Sequence, residues 1–447
     1  MKKGLKSCLF VVIALISLCI IGMVAMAIFH VCPPAGPWPM PPWCGENPKV
    51  TFNITPPAIS IPSISIPSGL WPVPYLCDEA DRTWHVRCKP AFSVIQHEFT
   101  QVYDKPMYQV PQINAGQIRI AWPCNVHRMS EAGYITALEN EIIEMKKMGV
   151  NTISLRVEFI QDPDPTKSTF YENTYGFNDT TVCDQLPYVK MGTTFPPDTM
   201  AKIFKMIHEN DLMVLLEFSS FVPDGTPALD TWRGNVRADD LDKFFTEYLD
   251  KMMPYVKVAQ QENIEIIRIA TEVEVPEEER IAQRNAIFRD RIIPAIRSEF
   301  SGTLTYGENV QQLNNVDFWD QLDYIGVDFY RAITDKNDPT VQELEAGIQK
   351  IFDEEIAPIQ QRYNKPVFLN ELGYESFDGS NRHGPLLSYR GNDKTVPDAP
   401  VDLQEQADLF QATFNVGKNI PWLYGYVIWE PGYGVIILEG LPAEFYK

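Results

Sequence analysis

A chain of 447 residues with 45% hydrophobic and 22% charged side chains is long enough to bury a large core and too apolar to be disordered. Its formal charge of -21 excludes nucleic acid as an expected partner and disfavours other polyanions.

Residues 1–7 carry Lys2, Lys3 and Lys6 and read as a cytoplasmic tip. The uncharged run Cys8–Phe29 follows, long enough for a transmembrane signal anchor with the remainder of the chain outside the cell membrane. Ala25-Met26-Ala27 fits a cleavage site, so a removed signal peptide and secretion are the competing reading. Prolines then recur across residues 30–76, as in Pro33-Pro34, Pro41-Pro42 and Pro56-Pro57, and this linker is expected to be an extended, semi-rigid stalk. Cys32, Cys44, Cys77, Cys88, Cys124 and Cys183 form an even set beyond the membrane run, compatible with three disulfides outside the cell. Pairing neighbours is one of fifteen connectivities.

The main domain is expected over 77–447. Its first part, Cys77–Gly116, has no clear period, and either the floor or the open side of the domain is a place for it. From Gln117 onward apolar runs alternate with amphipathic helical windows. Eight strands are predicted: Gln117–Trp122, Asn151–Phe159, Leu212–Phe218, Ile264–Thr271, Thr303–Tyr306, Tyr324–Phe329, Pro366–Leu369 and Leu423–Trp429. Helices are predicted between them at Tyr134–Met148, Pro197–Asn210, Asp239–Gln261, Arg284–Phe300, Thr340–Arg362 and Leu403–Asn415. Eight such alternations point to an α/β fold of the (β/α)8 TIM-barrel kind. A doubly wound sheet is the alternative, and the glycine-rich first turn that marks it is missing. Little chain follows the last strand, so the closing helix is expected to be short or replaced.

Reactive groups in such a barrel gather at the C-terminal ends of strands. The fourth predicted strand ends Ala270-Thr271-Glu272 and the seventh Leu369-Asn370-Glu371, placing two carboxyls on opposite sides of the mouth. Paired carboxyls of this kind serve glycoside hydrolysis, one as nucleophile and the other as acid and base. Trp122, Phe218, Tyr306, Tyr330 and Trp429 lie at or near strand ends, with Trp232 in the loop after the third strand. Aromatic platforms suit the apolar faces of sugar rings. The six histidines lack metal-ligand spacing, and no phosphate loop or nucleophile elbow is present, so no metal or cofactor is expected.

The ordered motifs Ala270-Thr271-Glu272, Leu304-Thr305-Tyr306, Asp323-Tyr324-Ile325-Gly326-Val327-Asp328-Phe329-Tyr330, Phe368-Leu369-Asn370-Glu371-Leu372-Gly373-Tyr374 and Trp429 resemble clan A glycoside hydrolases, and most of all glycoside hydrolase family 113, which acts on β-1,4-mannan. The likeness spans Gln117 to Leu441. It implies Glu272 as acid/base, Glu371 as nucleophile, Trp429 as sugar platform and Tyr330 as a polar contact near the nucleophile. Arg156 matches the clan's arginine beside the nucleophile, and Thr271 stands where many members have a sugar-binding Asn. Trp122, Trp232, Thr271, Tyr306 and Asn370 complete the expected substrate-binding set. The expected function is retaining hydrolysis of β-linked polysaccharide, mannan or glucan, outside the cell. The alternative is a catalytically inactive barrel serving as a carbohydrate-binding or cell-envelope structural protein.

Overall fold

The computed structural model describes residues 89–103, 105, 107–108, 110–119, 130–162, 164, 166–179, 193–221, 236–275, 277–382 and 400–429. The predicted membrane span, the proline-rich linker, all eight cysteines and the chain after Trp429 lie outside the described residues. Among the described residues no helix is long and apolar enough to cross a membrane. All of them belong to one compact unit, Pro72–Lys447.

Eight parallel strands close on themselves. They are β1 (Ile113–Arg119), β2 (Thr152–Gln161), β4 (Met213–Phe221), β5 (Ile266–Thr271), β6 (Thr303–Asn309), β7 (Ile325–Asp328), β8 (Val367–Leu372) and β9 (Leu423–Ile428). The two-residue β3 (Phe170–Tyr171) adds an antiparallel edge to β2. The order β1-β9-β8-β7-β6-β5-β4-β2, with β1 also paired to β2, is a closed barrel. Each predicted strand is found, although β1 starts four residues before its predicted start. Gly425 permits this, because a β-carbon there would collide with the backbone of Ile113 on the neighbouring strand.

Helices α2 (Glu131–Lys147), α3 (Pro197–Glu209) and α4 (Leu241–Gln261) follow the period of their sequences. Helix α5 (Glu278–Ile287) runs through a π-turn, Phe288–Ile292, into α6 (Ile293–Glu299). Helix α7 (Val341–Ile351) does the same through Phe352–Ile356 into α8 (Ala357–Tyr363), and α9 (Leu403–Gly417) completes the set after β8. Both π-turns end beside a proline, Pro294 and Pro358, whose ring and missing N–H disrupt regular i to i−4 bonding. Caps fix the helix starts. Ser130 accepts from the Gly133 amide, Asp240 from Lys243, Asp402 from Gln404 and Glu405, and Thr340 with Glu343 forms a capping box.

The segment without a sequence period has two parts. Helix α1 (Pro90–Phe99) opens on a proline and sets Phe99 against Phe414 of α9, while Gln96 donates to the Lys147 carbonyl at the end of α2. It therefore lies in the outer ring between α9 and α2. The residues after it seal the barrel floor: Tyr108 and Val110 pack under Ile113, Leu215, Ile266, Phe368 and Val427. The Tyr108 amide donates to Tyr424 Oη at 2.6 Å, and Tyr324 Oη donates to the Pro111 carbonyl at 3.2 Å.

The ladder loses its even register at four places, between Arg268 and Thr271, between Val327 and Asp328, between Val367 and Leu369, and between Leu369 and Leu372. Such irregularities re-aim side chains at strand ends. The last contains Glu371, and the first ends one residue before Glu272.

Candidate active site

Alternation along the strands puts every second residue inside the barrel. On β2, β4 and β5 this selects Arg156, Glu217 and Arg268, which are Cα partners across three adjacent strands. All three are buried. Glu217 accepts Arg156 Nε on one oxygen and, on the other, Arg268 Nη2 at 2.6 Å and Gln117 Nε2 at 2.7 Å. Each guanidinium then continues to Glu371 Oε1, Arg156 through Nη2 and Arg268 through Nη1 at 3.3 Å. The four groups form a ring of alternating sign. Buried charges are tolerated when hydrogen bonds replace lost water in this way.

Glu371, at the end of β8, uses its other oxygen to accept Tyr330 Oη at 2.9 Å. Burial, reinforced by the charge of Glu371, pushes the Tyr330 hydroxyl well above its ordinary range, so it remains a donor. Tyr330 stands edge-on to Trp429, with ring centres 6.3 Å apart and planes at 82°, in a pair of their own beside the main core.

Glu272 follows β5 directly and has φ of 47°, the left-handed region that side chains with a β-carbon seldom occupy. Its amide donates to the Gly307 carbonyl at 2.8 Å, fixing the turn. A strained residue held by such bonding is a sign of a functional position. Glu272 and Glu371 each retain only 1% exposure. They bear on common neighbours: burial, then Glu371, then Glu272, hold the Asp328 carboxyl well above its ordinary value, opposed by Arg268 at 3.7 Å. On the far flank of Glu272, burial followed by the charge of Glu274 pushes Glu308 up, opposed by Arg284 at 3.7 Å.

The model for Glycoside Hydrolase Family 113 matches residues 129–433, about two thirds of the chain. The chain belongs to glycoside hydrolase family 113. The solved β-mannanase of that family from Alicyclobacillus acidocaldarius is similar at 20% identity and a TM-score of 0.54, with 73% of this chain and 89% of that chain covered. A second structure, of a family 113 β-1,4-mannanase, is similar at 20% identity and a TM-score of 0.52, with 73% and 90% covered. At this identity they show the fold. No curated protein sequence matches.

In this family 113 chain Arg156, Thr271, Glu272, Tyr330, Asn370, Glu371 and Trp429 meet at the C-terminal end of the barrel. Thr271 is buried, with Oγ1 accepting Arg268 Nη1 at 3.1 Å, so it faces the arginine. Asn370 is also fully buried, and its amide lies over Gly307, where a β-carbon would collide with it, and close to Gly326. Tyr306 requires a correction: it points away from the mouth into the layer between barrel and helices, against Phe288, Phe318 and Trp319, and Oη donates to Glu308 at 3.2 Å. Phe218 is likewise an outer-layer residue, against Phe159 and Tyr255. Trp122 and Trp232 lie outside the described residues. Glu217 and Glu308, two further strand acids, are both arginine-paired. Arg268, Asp328 and Gln117 were not anticipated. Among the described residues no group of three His, Cys, Asp or Glu side chains is placed to hold a metal ion.

Proposed function

We propose that this family 113 member is a retaining glycoside hydrolase acting outside the cell on β-linked polysaccharide, with mannan the first substrate to try and glucan the second. The observation that carries the reading is the asymmetry between two glutamates at one barrel mouth. Glu371 accepts two guanidiniums and a phenol, donors that favour a carboxylate able to attack the anomeric carbon. Glu272 shares its surroundings with Asp328 and Glu308, the carboxyls on which its charge acts. Two carboxyls in unlike settings divide into nucleophile and acid.

Glu371 attacks while Glu272 gives its proton to the departing oxygen, leaving a glycosyl ester on Glu371. Glu272, now a carboxylate, takes a proton from water, whose oxygen displaces Glu371 and restores both groups. Trp429 offers an apolar face for the sugar beside Tyr330. The similarity to solved β-mannanases supports mannan, and the apolar run Cys8–Phe29 supports an extracytoplasmic place of action.

The test is incubation of the purified protein with β-mannan and β-glucan, reading the anomer first released by proton NMR. Release of the β anomer supports the reading. Glu371→Ala and Glu272→Ala are each expected to abolish hydrolysis with unchanged circular dichroism. Full activity in either variant removes the assignment, and polysaccharide binding without any hydrolysis by the wild type favours a non-catalytic barrel.

A further inference from the structure

Strands β5 and β8 are not neighbours in the barrel, since β6 and β7 stand between them, so no ladder of backbone hydrogen bonds sets the distance between their ends. Both strands also lose regular register where they approach Glu272 and Glu371. Barrel closure sets the mean diameter, and the span beyond these irregular ends needs finer control, because double displacement tolerates little variation in carboxyl separation.

We propose that Arg268 is the positioning residue that sets this span, bridging the residue before each glutamate through the barrel interior. The inference rests on the assignment of Glu272 and Glu371 as the reacting pair. Arg268 Nη1 donates to Thr271 Oγ1 at 3.1 Å, one residue before Glu272. Its Nη2 donates to the Asn370 carbonyl at 3.1 Å, one residue before Glu371, and Nη1 also reaches Glu371 Oε1 at 3.3 Å. Glu217 anchors the guanidinium from below at 2.6 Å. A planar fork with donors in fixed directions suits this task, whereas the single ammonium of a lysine cannot span the same acceptors.

Charge compensation of Glu217 and Glu371 alone is the competing role, and it makes a different demand. A lysine would satisfy charge and fail as a spacer. The titratable and charged groups around Glu371 are Arg156 from β2, with Glu158 behind it at 3.9 Å, Glu217 from β4, Arg268 from β5 and Glu272 directly after it, and Asp328 and Tyr330 from β7 and the residues after it.

The experiment compares wild type, Arg268→Lys and Arg268→Gln in the full chain, with Glu371→Gln as reference. Initial rates on β-mannan against pH are combined with carbon-13 NMR of side-chain-labelled glutamate, the Glu371 signal being assigned by its loss in Glu371→Gln. Arg268→Lys is expected to lower kcat about 100-fold with KM within about threefold, the size of effect produced by misplacing reacting groups by roughly 1 Å. Its Glu371 titration should stay near that of the wild type. Arg268→Gln is expected to raise the Glu371 midpoint by about 1 unit or more, moving the acidic limb of kcat/KM equally. A Lys variant with wild-type kcat, or one whose loss of kcat is accounted for by a shifted Glu371 midpoint, overturns the proposal while leaving the reacting pair intact. An inactive wild type, or an active Glu371→Gln, overturns the pair and the proposal together.

Discussion

The inside of the barrel has two storeys that obey opposite rules. The lower one holds Ile113, Ala115, Leu215, Ile266, Tyr324, Phe368, Tyr424 and Val427, a predominantly apolar plug. The upper one holds Gln117, Arg156, Glu217, Arg268 and Asp328, all buried. On β4 the change takes one step of two residues, from Leu215 to Glu217, and on β5 from Ile266 to Arg268, about 6.6 Å along the strand. The same pleat that buries leucine at one level therefore buries a carboxylate at the next. Stability and chemistry are stacked along shared strands, so a substitution's consequences depend on its storey.

The sharpest contrast is Glu217→Ala against Leu215→Ala. Removing Glu217 strips both guanidiniums of one of their two common acceptors, and a broken buried ion pair costs about 3–5 kcal/mol. The loss of hydrolysis should go further, because Arg156 and Arg268 are then free to re-aim toward Glu371. Leu215→Ala is expected to cost about 2–5 kcal/mol through its cavity, yet leave kcat/KM per folded molecule within about threefold. Urea unfolding with active-site-normalised rates checks both. Equal kinetic damage from the two would show that the storeys are not separable.

Smaller effects sharpen the upper storey. Tyr330→Phe removes one hydrogen bond to Glu371 Oε2, and bonds to charged groups are worth about 1.5–3 kcal/mol, or roughly 10–100-fold in kcat/KM. The hydroxyl favours the carboxylate, so its loss should raise the acidic limb of the pH profile, and an unmoved limb would assign Tyr330 to the substrate side instead. Gly307→Ala places a methyl group against the Asn370 amide and the Asp328 carboxyl. Overpacking of this sort costs about 1–3 kcal/mol, with activity falling alongside, whereas a neutral outcome would mean that the interior amide has room to move.

The lower storey and the helix ring were nearly legible in the sequence, because apolar alternation is a local signal that folding preserves. Helix α1 escaped notice although Ala91, Ile95 and Phe99 stand at helical spacing behind Pro90, since ten residues make a short window. At the upper storey the glutamate pair could be read from strand ends, while the ring around it could not. Tyr306 was misplaced because β6 runs on to Asn309, which makes Tyr306 a mid-strand residue whose parity faces outward beside inward Thr305 and Gly307. Asn370 keeps the inward phase of Phe368, and the register shift in β8 lets Glu371 serve the interior beside it. The charges within the apolar runs around Glu217 and Arg268 were the available sign of a polar layer, and only closure of the barrel reveals that they meet.

Glu375 offers the gentlest test, because it is a carboxyl near the mouth whose titration reflects burial where Glu217 and Glu371 meet arginine. It follows β8 by three residues, is buried, and desolvation pushes it up to about 8 from an ordinary 4.5. With the folded value raised, the folded protein holds a proton that the unfolded chain releases above about pH 4.5. The stabilisation is therefore complete below pH 4.5 and is lost as pH rises through about 8. Glu375→Gln keeps the neutral shape and removes the titration. Its melting temperature should match the wild type at pH 4, then exceed it by a widening margin between pH 5 and pH 8. Parallel profiles for the two proteins would mean that Glu375 ionises freely where it sits, and that burial beyond the end of β8 costs a lone carboxylate little.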